Sequence, residues 1–283
     1  MNITLKNILF AGVITFAVVP YYLFENNDNS LKRCPFESKI EPEIQQTNPD
    51  SIVFITVGSL TIEMVYVKGG TYTMGCTDEQ DDDCWEAESP VHSVTLDDFY
   101  IGKYEVTQGL WQEVMGANPS RFKGNDSLPV ENVNWDDCKK FIQKLNKMTG
   151  KNFRMPTEAE WEYAARGGKK TKKTKYSGSD NIDKVAWYWN NDTVITHKVG
   201  TKHPNELGIY DMSGNVKEWC SDWFGKYKNY SQVNPVGPSS GSERIVRGGD
   251  CAAKAGYSRV SCRIGYEPYT RINRLGLRLV LPR

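Results

Sequence analysis

"RMPTEAEWEYAARGG", residues 154–168, places Thr157 and Glu160 at capping-box spacing and a glycine, Gly167, where a helix would stop. Each of the two capping side chains can satisfy a backbone N–H that the first helical turn leaves without a partner. A short helix between Thr157 and Gly167 follows. Glu158, Glu160 and Glu162 fall inside it. Three carboxylates so close could serve acid–base chemistry, but capping and surface roles explain them better.

Two upstream helices obey the same rules. In "EVTQGLWQEVMGANPS", Leu110, Trp111, Val114 and Met115 form one apolar face, and Gly116 ends it. In "NWDDCKKFIQKLNKMTG", Asn134 is an N-cap and Asp136 and Asp137 favour the positive helix end. Cys138, Phe141, Ile142, Leu145 and Met148 then recur at helical spacing to Gly150, which makes Cys138 a core thiol rather than a reactive one. Earlier, "SIVFITV", "LTIEMVYV" and "GTYTMG" read as short strands separated by turns at Gly58 and Gly69–Gly70. After Gly168 the chain becomes loop-rich, with the lysine run 169–175 a solvated loop. Only "LGLRLVL", with Leu275, Leu277, Leu279 and Leu281 alternating, reads as a plain core strand.

The flanks set the organisation. Residues 8–24, "ILFAGVITFAVVPYYLF", carry no charge and would span roughly 25 Å as a helix, slightly short for a bilayer core. They read as an uncleaved signal anchor, with a cleaved signal peptide as the alternative, over residues 1–24. Residues 25–50 are a polar linker, and the globular domain takes 51–283. This arrangement puts the domain in the cell envelope, anchored on the extracytoplasmic side, or secreted if the segment is cut. Of 283 residues, 35 are basic and 35 acidic, with no sustained basic stripe, so nucleic acid is not an expected partner.

Outside the cytoplasm cysteines can pair, and seven of them leave at least one thiol over. Cys76 and Cys84 flank "TDEQDDD" and suit a local bridge. The acidic run between them matches no known cation loop and reads as solvated. Cys251 and Cys262 flank a segment close to the C-terminus. The three histidines, His92, His197 and His203, show neither metal-ligand spacing nor a catalytic-triad order.

Seven stretches occur in order: "YVKGGTYTMG", "IGKYEVTQGLW", "LPVENVNWDD", "RMPTEAEWEYAARGG", "GIYDMSGNVKEW", "RIVRGG" and "RLGLRLVL". Together, from about Val65 to Leu281, they make the chain resemble the formylglycine-generating enzyme, or sulfatase-modifying factor, family. The resemblance implies a single α+β domain of the C-type-lectin-like kind, low in regular secondary structure. It also implies two copper-binding cysteines after the Arg-Gly-Gly turn, whose soft thiolates suit the soft ion that oxidises a substrate cysteine. In register, those two positions hold Ala253 and Ser258. Neither is a copper ligand, so copper is not expected and the family's oxidation should be lost. A displaced pair, Cys251 and Cys262, is the alternative, but a two-residue shift along a strand moves a sulfur by about 6.6 Å. A structural disulfide between them is the preferred expectation.

The resemblance further implies a structural calcium held by Asp211, Gly214, Val216 and Glu218, two carboxylates and two backbone carbonyls suited to a hard cation. Lys217 stands where relatives often carry an aromatic residue. The leading expectation is a non-catalytic binding protein for a protein or peptide ligand. It would use the adaptable surface of Tyr257, Arg259, Tyr266, Tyr269 and Arg271. Some relatives vary this same segment through diversity-generating retroelements. Others act as scaffolds in envelope machinery. The competing expectation is a formylglycine-generating oxidase acting on cysteine in sulfatases through the displaced pair.

Overall fold

Of the runs read as strands, residues 53–57 and 60–67 pair with each other, while residues 70–74 pair with 92–96 in a different sheet. The computed structural model describes residues 52–191 and 194–283; the expected anchor, the linker and the domain's first residue lie outside them. Along the chain run β1 (Val53–Val57), β2 (Leu60–Val67), β3 (Gly70–Met74), β4 (His92–Leu96) and β5 (Phe99–Gly102). Helices α1 (Gln108–Met115), α2 (Trp135–Thr149), α3 (Glu158–Ala165) and the single turn α4 (Ile182–Val185) follow. Then come β6 (Lys217–Trp223), β7 (Gln232–Val233), β8 (Arg244–Arg247), β9 (Arg263–Tyr266), β10 (Leu275–Leu277) and β11 (Val280–Pro282).

Three small sheets result, with strand orders β1-β2-β5-β11, β10-β6-β8-β9 and β3-β4-β7. One apolar cluster packs α1 and α2 against the first two sheets, through Trp111 stacked on Phe141 at 4.7 Å and the fully buried Cys138 and Leu145. A second gathers around α3, with Trp161 and Tyr163 against Val94, Phe99 and Ile245. The caps are those the sequence implies. Thr157 Oγ1 accepts from Glu160 N at 3.2 Å while Glu160 returns a bond to Thr157 N, and Asn134 and Asp137 do the same for α2.

The surface role expected of the α3 carboxylates is wrong. Every residue of α3 is buried, glutamates included, because the helix runs through the middle of the domain and not along its side. Each acid therefore needs a cation. Glu160 takes Arg154 at 2.6 Å, Glu158 takes Arg263 through two bonds of 2.6 and 2.7 Å, and Glu162 takes both Arg247 and Arg166. Two further pairs lie off the helix: Arg259 with Glu88 at 2.6 and 2.8 Å, and Arg278 with Glu218 at 2.7 Å. Unpaired, any of these ions would carry several kcal/mol of desolvation cost.

"LGLRLVL" is not one strand either. Leu275–Leu277 pair in parallel with Lys217–Trp219, and Val280–Pro282 pair antiparallel with Ile101–Phe99, so the chain crosses between two sheets at Arg278. The guanidinium of Arg278 is fully buried at that crossing and also donates to the carbonyls of Gly102 and Tyr210. The alternation of leucines carried no mark of the switch: β10 buries Leu275 and Leu277, whereas β11 buries Val280 and leaves Leu281 half-buried.

Replacing Arg259 by alanine strands Glu88 in the interior. The expected loss is about 3–5 kcal/mol of unfolding free energy in urea melts, against a change within about 0.5 kcal/mol for the exposed Lys170→Ala control. Equal stability of the two variants would contradict the pairing.

Candidate functional site

Arg247 ends β8 with its guanidinium held by Glu162 and by the carbonyls of Val260, Ser261 and Cys262. The next two residues, Gly248 and Gly249, have φ of +96° and +71°. A Cβ on Gly249 would lie 2.4 Å from Ser258 Oγ, so only glycine lets the turn close onto the segment that follows. Asp250 then stops the chain. Its Oδ1 accepts from Ala252 N at 2.7 Å, its Oδ2 pairs with Lys217, and Arg274 Nε lies 3.4 Å away. A 3-10 turn over Ala255–Ser258 leads back inward to the buried Arg259.

Around this turn sit the two positions that the family resemblance marks as catalytic. Ala253 presents a methyl group, and its carbonyl accepts from Trp189 N at 3.0 Å. Ser258 is fully buried and its hydroxyl meets no partner among the described residues. Neither offers sulfur, and Ser258 is closed to solvent.

The expected disulfide between Cys251 and Cys262 is absent: both are free, buried thiols. The Gly248–Gly249 turn and the inward return at Arg259 seat the two sulfurs in different surroundings. Burial, then the Asp250 carboxylate, pushes Cys251 up to about 12, and burial, then Glu88, pushes Cys262 up to about 12. Thiols so desolvated are poor nucleophiles and poor metal ligands. Cys76 and Cys84 are joined, and the six-residue 3-10 turn Asp78–Asp83 lies between them. That loop is not merely solvated, because Glu79 reaches Arg166 at 2.5 Å and the buried Gln80 accepts from Ser261 Oγ at 3.0 Å.

Of the expected ligand-facing side chains, Arg259 is out of reach, committed at zero exposure to Glu88. A sequence of mixed tyrosines and arginines does not reveal which cation turns inward. Tyr257 and Tyr269 are exposed, Tyr266 is half-buried, and Arg271 is exposed while paired with Asp137. Two tryptophans outside the expected segment join the surface. Trp85 meets Tyr257 edge-on at 4.7 Å, and Trp189, 54% exposed, is tied to Ala253 through its backbone. Lys254 is exposed between them. The density of aromatics in "AWYWNN", residues 186–191, was the available signal for Trp189.

The expected calcium ligands sit together with a third acid. Asp211 (φ +58°) accepts from Gly200 N at 2.7 Å, and Glu105 accepts from Val216 N at 3.0 Å and Asn215 Nδ2 at 2.6 Å. Both Glu218 oxygens are taken, by Arg278 and by Trp161 Nε1 at 2.7 Å. Burial pushes Asp211 up to about 6, and burial with the nearby Asp211 and Glu218 holds Glu105 well above the usual carboxylate range. Three acids face one guanidinium, and a hard cation would hold the raised Asp211 and Glu105 carboxyls ionised. With Glu218 committed, the donors left for it are the Asp211 carboxylate and the Gly214 and Val216 carbonyls.

Three comparisons bear on this site. The sequence model of the sulfatase-modifying factor enzyme 1-like domain matches residues 56–282. The chain is 36% identical over 258 residues to chaperone protein LppX of Paenibacillus barcinonensis, covering 73% of this chain and 85% of that protein. It is 33% identical to the formylglycine-generating enzyme of Streptomyces coelicolor over 59% of this chain and 57% of the enzyme. The solved structure of Treponema denticola variable protein 1 superposes with a TM-score of 0.74 at 34% identity, covering 82% of this chain and 99% of that one.

Native protein at pH 8 should alkylate slowly at the buried Cys138, Cys220, Cys251 and Cys262. With pKa values near 12, about one in ten thousand of the Cys251 and Cys262 thiols is ionised there. Mass spectrometry without reductant should find Cys76 linked to Cys84, and rapid labelling of Cys251 or Cys262 would contradict their burial.

Proposed function

The chain belongs to the sulfatase-modifying factor enzyme 1-like family, and we propose that it uses this fold to bind a protein or peptide ligand without oxidising it. One observation supports this above the others: Ala253 and Ser258 stand at both copper positions, while the nearest sulfurs are buried and held as thiols. A displaced copper pair would need two accessible thiolates on facing segments, and Cys251 and Cys262 supply neither.

The ligand surface in this proposal is the aromatic rim around Ala253, formed by Trp85, Trp189 and Tyr257 with Lys254, and extended by Tyr266, Tyr269 and Arg271. Large, stiff aromatic side chains bury much area at little entropic cost, which favours a polypeptide surface over a small molecule. A relative named a chaperone protein and a neighbour named a variable protein agree with that direction. Residues 8–24 would hold the domain at the envelope membrane. Calcium would bind through Asp211 with the carbonyls of Gly214 and Val216, tightening the loop that precedes β6. In the sharper form of the proposal, residues 250–274 are the diversified part of the surface, and a near-copy of their coding segment lies beside a reverse-transcriptase gene.

The test is a pair of assays on one preparation. With copper(I), oxygen and a Cys-x-Pro-x-Arg peptide, the peptide mass should stay unchanged; conversion to the aldehyde would refute the non-catalytic assignment. In pull-downs from envelope extract, the Trp189→Ala/Tyr257→Ala variant should lose at least tenfold of any captured partner at an unchanged melting temperature. For the cation, calcium should raise the melting temperature of the wild type and not of Asp211→Asn. No shift in either removes the calcium proposal.

A further inference from the structure

A cleft of about 140 Å³ opens where the end of β6, the first turn of α3 and β4 meet the loop after Trp223. None of the rim residues around Ala253 lines it. Its floor carries Asp222 and His92, both almost fully buried. Asp222 Oδ2 accepts from Ser221 Oγ at 2.8 Å and from Glu158 N at 3.1 Å, while Oδ1 accepts nothing among the described residues. His92 Nδ1 lies 3.1 Å from the carbonyl of Pro90, which can only accept, so the neutral ring keeps its proton on Nδ1. The lone pair of Nε2 is then free. Asp222 Oδ1 and His92 Nε2 are thus two buried acceptors lining one cleft, neither with a donor among the described residues.

The cations around this floor are arranged unevenly. Arg263 is spent, with two bonds to Glu158 and one each to the carbonyls of Ala87 and Gly225. Arg244 is stacked on Trp223, its centre 3.4 Å from the ring centroid, and donates to Ser221 O at 2.6 Å. At the mouth stand Lys226 and Lys228, both exposed. Trp223, Tyr227 and Pro235 form the apolar wall between floor and mouth. The cleft therefore accepts hydrogen bonds at the bottom, is apolar in the middle and is positive at the rim.

We propose that this cleft binds a free α-amino acid with an apolar side chain: the ammonium on Asp222 Oδ1 and His92 Nε2, the carboxylate toward Lys226 and Lys228. A zwitterion matches both ends at once, whereas a simple alkylamine would leave the two rim lysines opposed to it. The volume holds one such molecule. Burial, then the neighbouring Glu158, pushes Asp222 up to about 7, as befits a carboxyl that is hydrogen-bonded on one oxygen but has no cation paired with it, and an ammonium would supply one.

Calorimetric titration of the whole protein with L-leucine should give saturable one-to-one binding. N-acetyl-leucine, which lacks the ammonium, and leucinamide, which lacks the carboxylate, should each bind at least tenfold more weakly. Asp222→Asn should also cost at least tenfold. If that variant fails to fold, Lys226→Ala/Lys228→Ala, altered only at exposed positions, should weaken leucine about fivefold. Absence of saturable binding, leucinamide binding as well as leucine, or unchanged affinity in the lysine variant would each overturn the assignment.

Discussion

A carboxylate buried without a cation destabilises a domain by more than most packing defects, and here α3 brings three glutamates into the interior. The rest of the domain is arranged to meet them. Arg247 reaches Glu162 from β8, Arg263 reaches Glu158 from β9, and Arg166 closes over Glu162 from the helix's own C-terminus. Because these arginines also donate to carbonyls of the irregular segments 75, 87, 225 and 260–262, each ion pair fixes loop backbone as well as charge. A domain with little regular structure is thereby held by side-chain hydrogen bonds where ladders are missing.

That scaffold shows what keeps the turn after β8 in shape with Ala253 and Ser258 at the two positions where the family resemblance places sulfur. Gly248, Gly249 and the capping Asp250 are set by backbone geometry and by Arg247, none of which needs a metal. Exchanging sulfur for a methyl and a hydroxyl at positions 253 and 258 leaves these restraints untouched. Lys217 completes the change: an ammonium paired with Asp250 gives the base of the turn a polar character that an aromatic ring would not.

Much of the architecture was legible in the sequence wherever short-range chemistry governs. The caps at Thr157 and Asn134, the stops at Gly116 and Gly150 and the core face of α2 follow from residues three or four apart. What escaped depends on partners far along the chain. The burial of Glu158 and Glu162 is decided by arginines at positions 263 and 247, the inward turn of Arg259 by Glu88, and the break in "LGLRLVL" by β6 and β5, both far upstream. The surface was half legible. Tyr257 and Tyr269 are exposed as expected, whereas the exposed Trp189 and the Trp85 that meets Tyr257 come from segments far removed in sequence.

The crossing at Arg278 bears on how the polypeptide is made. Residues 275–282 supply an edge to one sheet through β10 and to another through β11, and Arg278 neutralises Glu218 between them. Until this segment has been made all three are missing, so both sheets lack an edge strand and Glu218 lacks its cation.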